Sequence, residues 1–229
     1  MRPALSITEP KQSLGAVAYR EIYRRIMTLD FEPGQRLEEK RLMAQLGIGR
    51  TPIREALMHL SDDFMVESHP KAAVIVRPIT IQNTRATFAA LKVLEAGVAE
   101  LAMRQEISAM LPELETANHA VKVAIARMDI IELVEANSRF HHAYARCSLN
   151  EYLVNCLHKV RCETNRLAYL SYGNEIDPDR SLQTHYRSVI HEHDTIIETL
   201  KKRDENRLKK TILQHVNTFQ QRIIRYMES

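Results

Sequence analysis

The fold is decided by residues 42–57, Leu42-Met43-Ala44-Gln45-Leu46-Gly47-Ile48-Gly49-Arg50-Thr51-Pro52-Ile53-Arg54-Glu55-Ala56-Leu57. Leu42 and Leu46 sit one turn apart, the apolar side of a helix expected from Glu38 to Leu46, and Gly47-Ile48-Gly49 breaks it. Thr51-Pro52 reads as an N-cap followed by proline at the first helical position, where a missing N–H removes no intrahelical bond. The helix that follows turns Ile53, Ala56, Leu57 and Leu60 inward. Two helices joined by so tight a turn form a helix-turn-helix.

Upstream, Leu14, Val17, Ala18, Ile22, Ile26 and Leu29 have amphipathic spacing over 13–30, and Phe31-Glu32-Pro33-Gly34 ends that helix. Downstream, Met65-Val66-Glu67-Ser68 and Ala73-Val74-Ile75-Val76 are short β-prone runs around His69-Pro70-Lys71-Ala72, predicting a two-stranded wing. Residues 1–79 therefore read as a winged helix-turn-helix DNA-binding domain. From Thr80 onward the pattern changes to long helical periods, roughly 81–104, 108–127, 129–147, 150–172, 181–202 and 204–227. Residues 80–229 are expected to be an all-helical bundle, so the fold class is mainly α.

Composition agrees with this reading. The 229 residues contain six Gly, eight Pro and no Trp, with 6% aromatic residues, a balance that disfavours a turn-rich β-sandwich. A formal charge of +3 is too small to argue for nucleic acid, so a DNA-binding reading must rest on where basic residues sit. Cys147, Cys156 and Cys162 are odd in number and lack CxxC spacing, which points to reduced thiols in a cytoplasmic protein. Glu9, Lys11, Arg20 and Glu21 interrupt any signal-like apolar stretch, and no later run nears the roughly 20 apolar residues of a membrane span. No membrane partner is expected; when bound to DNA the protein would sit at the bacterial nucleoid.

A recognition helix places its N-terminal residues against base edges in the major groove. Here that end carries Arg50, Thr51 and Arg54, with the two arginines one turn apart, so one can reach a guanine edge while the other holds a phosphate. Lys40 and Arg41 begin the preceding helix, where backbone contacts are expected, and Lys71 lies at the predicted wing tip. Each of these charges taken singly is an ordinary solvated side chain; together with the helical breaks and the wing they point to DNA.

The stretch Leu42–Leu57 resembles the signature of GntR-family transcriptional regulators, a pattern close to L-A-x-x-L-G-V-S-R-T-P-V-R-E-A-L. Three departures stand out. Gly49 replaces the usual Ser or Thr, Ala72-Ala73 replaces the Arg-Gly common at the wing tip, and Phe64 stands where a turn glycine is usual.

The ten histidines sort by helical face. Between 129 and 147 the apolar stripe is Ile130, Leu133, Val134, Asn137, His141 and Tyr144, with His142 on the opposite face. Between 181 and 202 it is Val189, His193, Ile196, Ile197 and Leu200, with His191 outward. The last helix adds Leu208, Ile212, His215, Phe219 and Ile223. A lone histidine on such a stripe is commonly a hydrogen-bonded core residue. Three on separate helices, with Asn137, are economically satisfied by one divalent cation inside a bundle. Imidazole-rich donors suit zinc, nickel or iron, and manganese where waters complete the set; zinc or nickel is the first expectation.

Here the resemblance extends to the FCD subgroup, whose effector domain is an all-helical bundle with a buried metal in many members. Asn137-Ser138-Arg139-Phe140-His141 is similar to its D/N-x-x-F-H motif, Glu192-His193 to its E-H element, and His215 to the histidine of its last helix. The resemblance thus implies Asn137, His141, His193 and His215 as metal ligands, with Asn137 standing where many members have Asp. Ala89 and Leu91 occupy positions where an E-x-R pair is common, so no effector-binding arginine is carried over there.

Four neutral donors leave a dication's charge uncompensated, which favours an anionic carboxylate as an additional ligand. The expected effector is a small organic acid; Arg161 and Asn165, one turn apart, are candidate contacts, weighed against plain solvation. A homodimer would set two recognition helices about 34 Å apart on a palindromic operator, with repression relieved by ligand as the expected response. Two alternatives stand beside this reading. A metal-dependent enzyme would use the same histidines, but no Asp or Glu is expected on their inward stripes, and Glu192 lies about 100° from its own. A purely structural metal would leave a constitutive DNA-binding protein.

Overall fold

The computed structural model describes residues 13–69, 73–174 and 181–228 and separates the chain into two compact units, 1–77 and 78–229. In the first unit the order is α1 (Leu14–Met27), β1 (Arg36–Leu37), α2 (Glu39–Leu46), α3 (Arg50–Asp62), β2 (Val66–His69) and β3 (Ala73–Val76). The Ser13 hydroxyl accepts the Ala16 N–H and starts α1, whose buried side chains Ala18, Ile22, Ile26 and Met27 pack on α3. Gly47 closes α2 at φ +64°, its N–H bonded to the Met43 carbonyl, a left-handed cap that glycine takes without strain. The third helix begins earlier than expected: Gly49 is its N-cap, and Thr51-Pro52 lies within the first turn. Proline is tolerated there because every N–H of that turn lacks an intrahelical acceptor. Ile53, Ala56, Leu57 and Leu60 are buried, as the spacing predicts.

The wing is a three-stranded sheet rather than a two-stranded one. Strand order is β1-β3-β2, all antiparallel, with Leu37 opposite Val74 and Ser68 opposite Val74 from the other side. Two-residue β1 is too short to give an alternating pattern in sequence. Phe64, ahead of β2, holds φ +60°, the left-handed conformation that the turn requires whichever residue fills it.

The second unit consists, among the described residues, of α4 (Ile81–Ala102), α5 (Leu111–Arg127), α6 (Ile130–Arg146), α7 (Glu151–Gly173), α8 (Leu182–Lys202) and α9 (Glu205–Glu228). Thr80, Asp129, Asn150 and Ser181 cap α4, α6, α7 and α8 through their side-chain oxygens. The fifth helix starts at Leu111, not near Ser108, because Pro112 cannot donate to a carbonyl four residues earlier. α6 packs between α5 and α7, while α9 lies along α4 and α8. Phe88, Leu91, Val98, Phe140, Tyr144, Ile196, Leu200, Ile212 and Ile223 belong to one continuous core. No helix among the described residues is long and apolar enough to cross a membrane.

Candidate functional site

At the helix-turn-helix, the Gly47 turn brings the start of α2 beside the start of α3. Lys40, Arg41, Arg50, Thr51 and Arg54 are all exposed; Lys71 lies outside the described residues. Glu39 reaches both recognition-helix arginines, its Oε1 accepting from Arg54 Nε at 2.8 Å and its Oε2 lying 3.8 Å from Arg50 Nε. Arg41 similarly meets Glu38 at 3.4 Å. Such exposed pairs are each worth about 0–1 kcal/mol, so a phosphate can displace them. Sequence reasoning missed Glu39, although an acidic residue opening α2 beside a basic α3 was a readable signal.

Inside the helical bundle, α6 supplies Asn137 and His141, α8 supplies His193 and α9 supplies His215, all buried. One ring nitrogen from each of the three histidines lies within 4.8 Å of the others. Nε2 of His141 is 3.2 Å from Nε2 of His215, and Nδ1 of His215 is 2.7 Å from Oε2 of Glu192. His193 stacks on Phe140 at 3.8 Å between centroids, and neither of its nitrogens meets a hydrogen-bond partner among the described residues. Oδ1 of Asn137 is buried and unpartnered as well. Burial, then the Arg161 charge, holds His141 well below the usual imidazole range; burial, then His215, does the same for His193. Unpartnered buried nitrogens and an amide oxygen beside converging imidazoles fit a divalent cation.

Two carboxylates that the helical stripes had excluded stand beside these rings. Glu95 is fully buried on α4, 3.6 Å from Nδ1 of His141, within a run of Phe88, Leu91, Val98, Ala99 and Ala102. An acid on that apolar stripe was the signal. Glu192 is off the stripe of α8, yet α9 packs against α8 closely enough for it to bond His215. A single stripe per helix fails where a helix is covered on more than one side. His185 was missed for the same reason: it is buried one turn before Val189 and approaches the Ser171 hydroxyl at 3.4 Å. By contrast, His142 and His191 are exposed, as expected.

Residues 86–218 match the FCD domain, and residues 14–76 match the family described as bacterial regulatory proteins, gntR family. The chain belongs to the GntR family and carries an FCD domain. It is similar to the HTH-type transcriptional repressor RspR of Escherichia coli K12, with 23% identity over 90% of this chain and 87% of the relative. It is also similar to the gluconate operon transcriptional repressor of Bacillus licheniformis, at 22% identity over 93% of this chain and 86% of the relative. The solved structure of E. coli McbR/YncC shares the fold, with a TM-score of 0.75 and 20% identity over 92% of this chain and 99% of that one. This GntR-family chain is accordingly a transcriptional regulator with a DNA-binding head, and not an enzyme.

At the two candidate effector residues of its FCD domain, the plain-solvation alternative fails. Arg161 and Asn165 are buried rather than solvated. Arg161 pairs with Glu95, and its Nη2 donates to Nδ1 of His141 at 2.8 Å. Asn165 donates to the Ser138 hydroxyl at 3.3 Å. Asn137, Arg161, Glu192 and His215, with Tyr172 and His185, line a chamber of about 10 Å³, room for roughly one water. Asn165 is not part of that wall. In this form the donors and the guanidinium surround a chamber that must widen to admit an organic acid.

Proposed function

We propose that this regulator is a homodimeric repressor whose operator affinity is lowered by a small carboxylate bound at a cation in the FCD domain. Asn137, His141, His193 and His215 would hold the cation, zinc or nickel first, with manganese or iron as alternatives. When bound there, the cation supplies a positive centre to which a carboxylate oxygen can ligate. Arg161 neutralises the remaining carboxylate charge, whereas Asn165 holds α7 to α6 through Ser138 and orients that wall. In the head, Arg50, Thr51 and Arg54 read bases while Lys40, Arg41 and Lys71 hold phosphates.

The observation that carries this reading is the orphaned state of His193: both of its buried imidazole nitrogens are without partners among the described residues, and one of them lies within 4.8 Å of a ring nitrogen of His141 and of His215. Ligand response follows if the acid binds better to a dimer whose heads are spaced away from successive major grooves. Elemental analysis of the purified protein, followed by operator mobility shifts with and without carboxylic acids, tests it. Stoichiometric metal that is lost in His193→Ala, with acid-dependent loss of operator binding, is expected. Metal-free protein, or operator affinity indifferent to a broad panel of acids, would overturn it.

A further inference from the structure

A guanidinium has donors and no lone pair, so the nitrogen it meets must accept. The 2.8 Å contact from Arg161 Nη2 to Nδ1 of His141 therefore fixes the His141 proton on Nε2. That proton is donated to Nε2 of His215, 3.2 Å away, and His215 passes its own Nδ1 proton to Glu192. One tautomer set satisfies the whole chain. It is also the set in which Nε2 of His141, the atom facing the other rings, has no lone pair to offer. His215 is already poised as a ligand; His141 is locked out by Arg161.

We propose that Arg161 and Glu95 are an exchange pair at Nδ1 of His141, so that cation binding frees Arg161 to become an anion site. When His141 turns its Nε2 lone pair toward a cation, the same proton resides on Nδ1, and the ring neither gains nor loses charge. The new Nδ1–H faces Oε1 of Glu95, now 3.6 Å away, and donates to it. Arg161, left with N–H against N–H, withdraws from His141 toward the chamber it lines. In the present arrangement Oε2 of Glu95 and Nε of Arg161 are both buried without partners among the described residues, as expected of groups serving two arrangements. Binding is thereby ordered, cation before carboxylate. The inference rests on the cation site proposed above.

The test uses the full chain, zinc alone and 15N-labelled histidine. Two-bond 1H–15N spectra near neutral pH read each ring's tautomer. In wild type one buried ring is expected to change from the Nε2–H to the Nδ1–H form on adding one equivalent of zinc. In Arg161→Met that ring is expected to be Nδ1–H before any zinc is added, and zinc affinity by chelator competition to rise severalfold. Glu95→Gln is expected to bind zinc about 10–100-fold more weakly. Zinc bound stoichiometrically at His193 with the tautomer unchanged, or an Arg161→Met protein still in the Nε2–H form, overturns the exchange while leaving the cation site standing. Wild type that binds no zinc overturns both.

Discussion

Oε1 of Glu39 accepts a 2.8 Å hydrogen bond from Nε of Arg54 across the turn of the reading head. The same carboxylate stands 3.8 Å from Nε of Arg50, so one acid aligns two arginines in the absence of DNA. Both arginines are more than half exposed, and the pairs contribute little to stability. Under the proposed DNA contact their effect falls on binding: the acid beside the two arginines repels phosphate and restricts where the guanidinium groups sit. Glu39→Ala should tighten binding to random duplex several-fold, and more so at low salt, while narrowing the ratio of operator to random affinity. Fluorescence anisotropy over a salt series measures both quantities, and an unchanged ratio would remove the alignment role.

The two glycines of the turn should respond in opposite directions. Gly47 has φ +64° and open space around its missing Cβ, so Gly47→Ala carries only the backbone penalty, about 1 kcal/mol of destabilisation. Gly49 has an ordinary φ of −67° as the N-cap of α3, with no side chain to accept an N–H. Gly49→Ser supplies that acceptor and should stabilise by a few tenths of a kcal/mol. Urea denaturation followed in the head separates the pair.

Much of this architecture was written in periodicities, and the failures share a cause. Ile53, Ala56, Leu57 and Leu60 on α3 and His141, His193 and His215 in the bundle were legible because each faces one packed side. Glu95, Glu192, His185 and Arg161 were not, since their roles depend on which helix packs against which, a relation that no stripe on a single helix encodes. For Arg161 the stripes leave effector contact and plain solvation both open, because the buried acid on α4 that pairs with it lies on another helix. β1 escaped for a different reason, being too short to alternate.

The second carboxylate, Glu192, should matter to the cation through His215. Its 2.7 Å contact with Nδ1 of His215 fixes that ring with the proton on Nδ1 and the lone pair on Nε2. Glu192→Gln keeps an acceptor but removes the charge, and zinc affinity should fall about 10-fold or more with little change in thermal stability of the chelator-treated protein. A variant that holds zinc as tightly as wild type would show that Glu192 does not tune the ring.

Metal-free protein should also lose stability as the solution is acidified. His141 and His193 have folded-state affinities for protons well below that of an unfolded histidine, chiefly through burial. Above the unfolded value of 6.5 both states carry neutral rings, and the stability is fully present. Below 6.5 the unfolded chain takes up protons that the folded core refuses, so stability falls with pH until the depressed folded values are reached. Each ring contributes a slope of up to about 1.4 kcal/mol per pH unit in that window. His193→Phe, which can keep the stack on Phe140, should remove one ring's share of the slope. Denaturant titrations at pH 7.5 and 5.5 with chelator present measure it; equal pH dependence in variant and wild type would mean that His193 is protonated in the folded core, which would also weaken its claim to be a ligand.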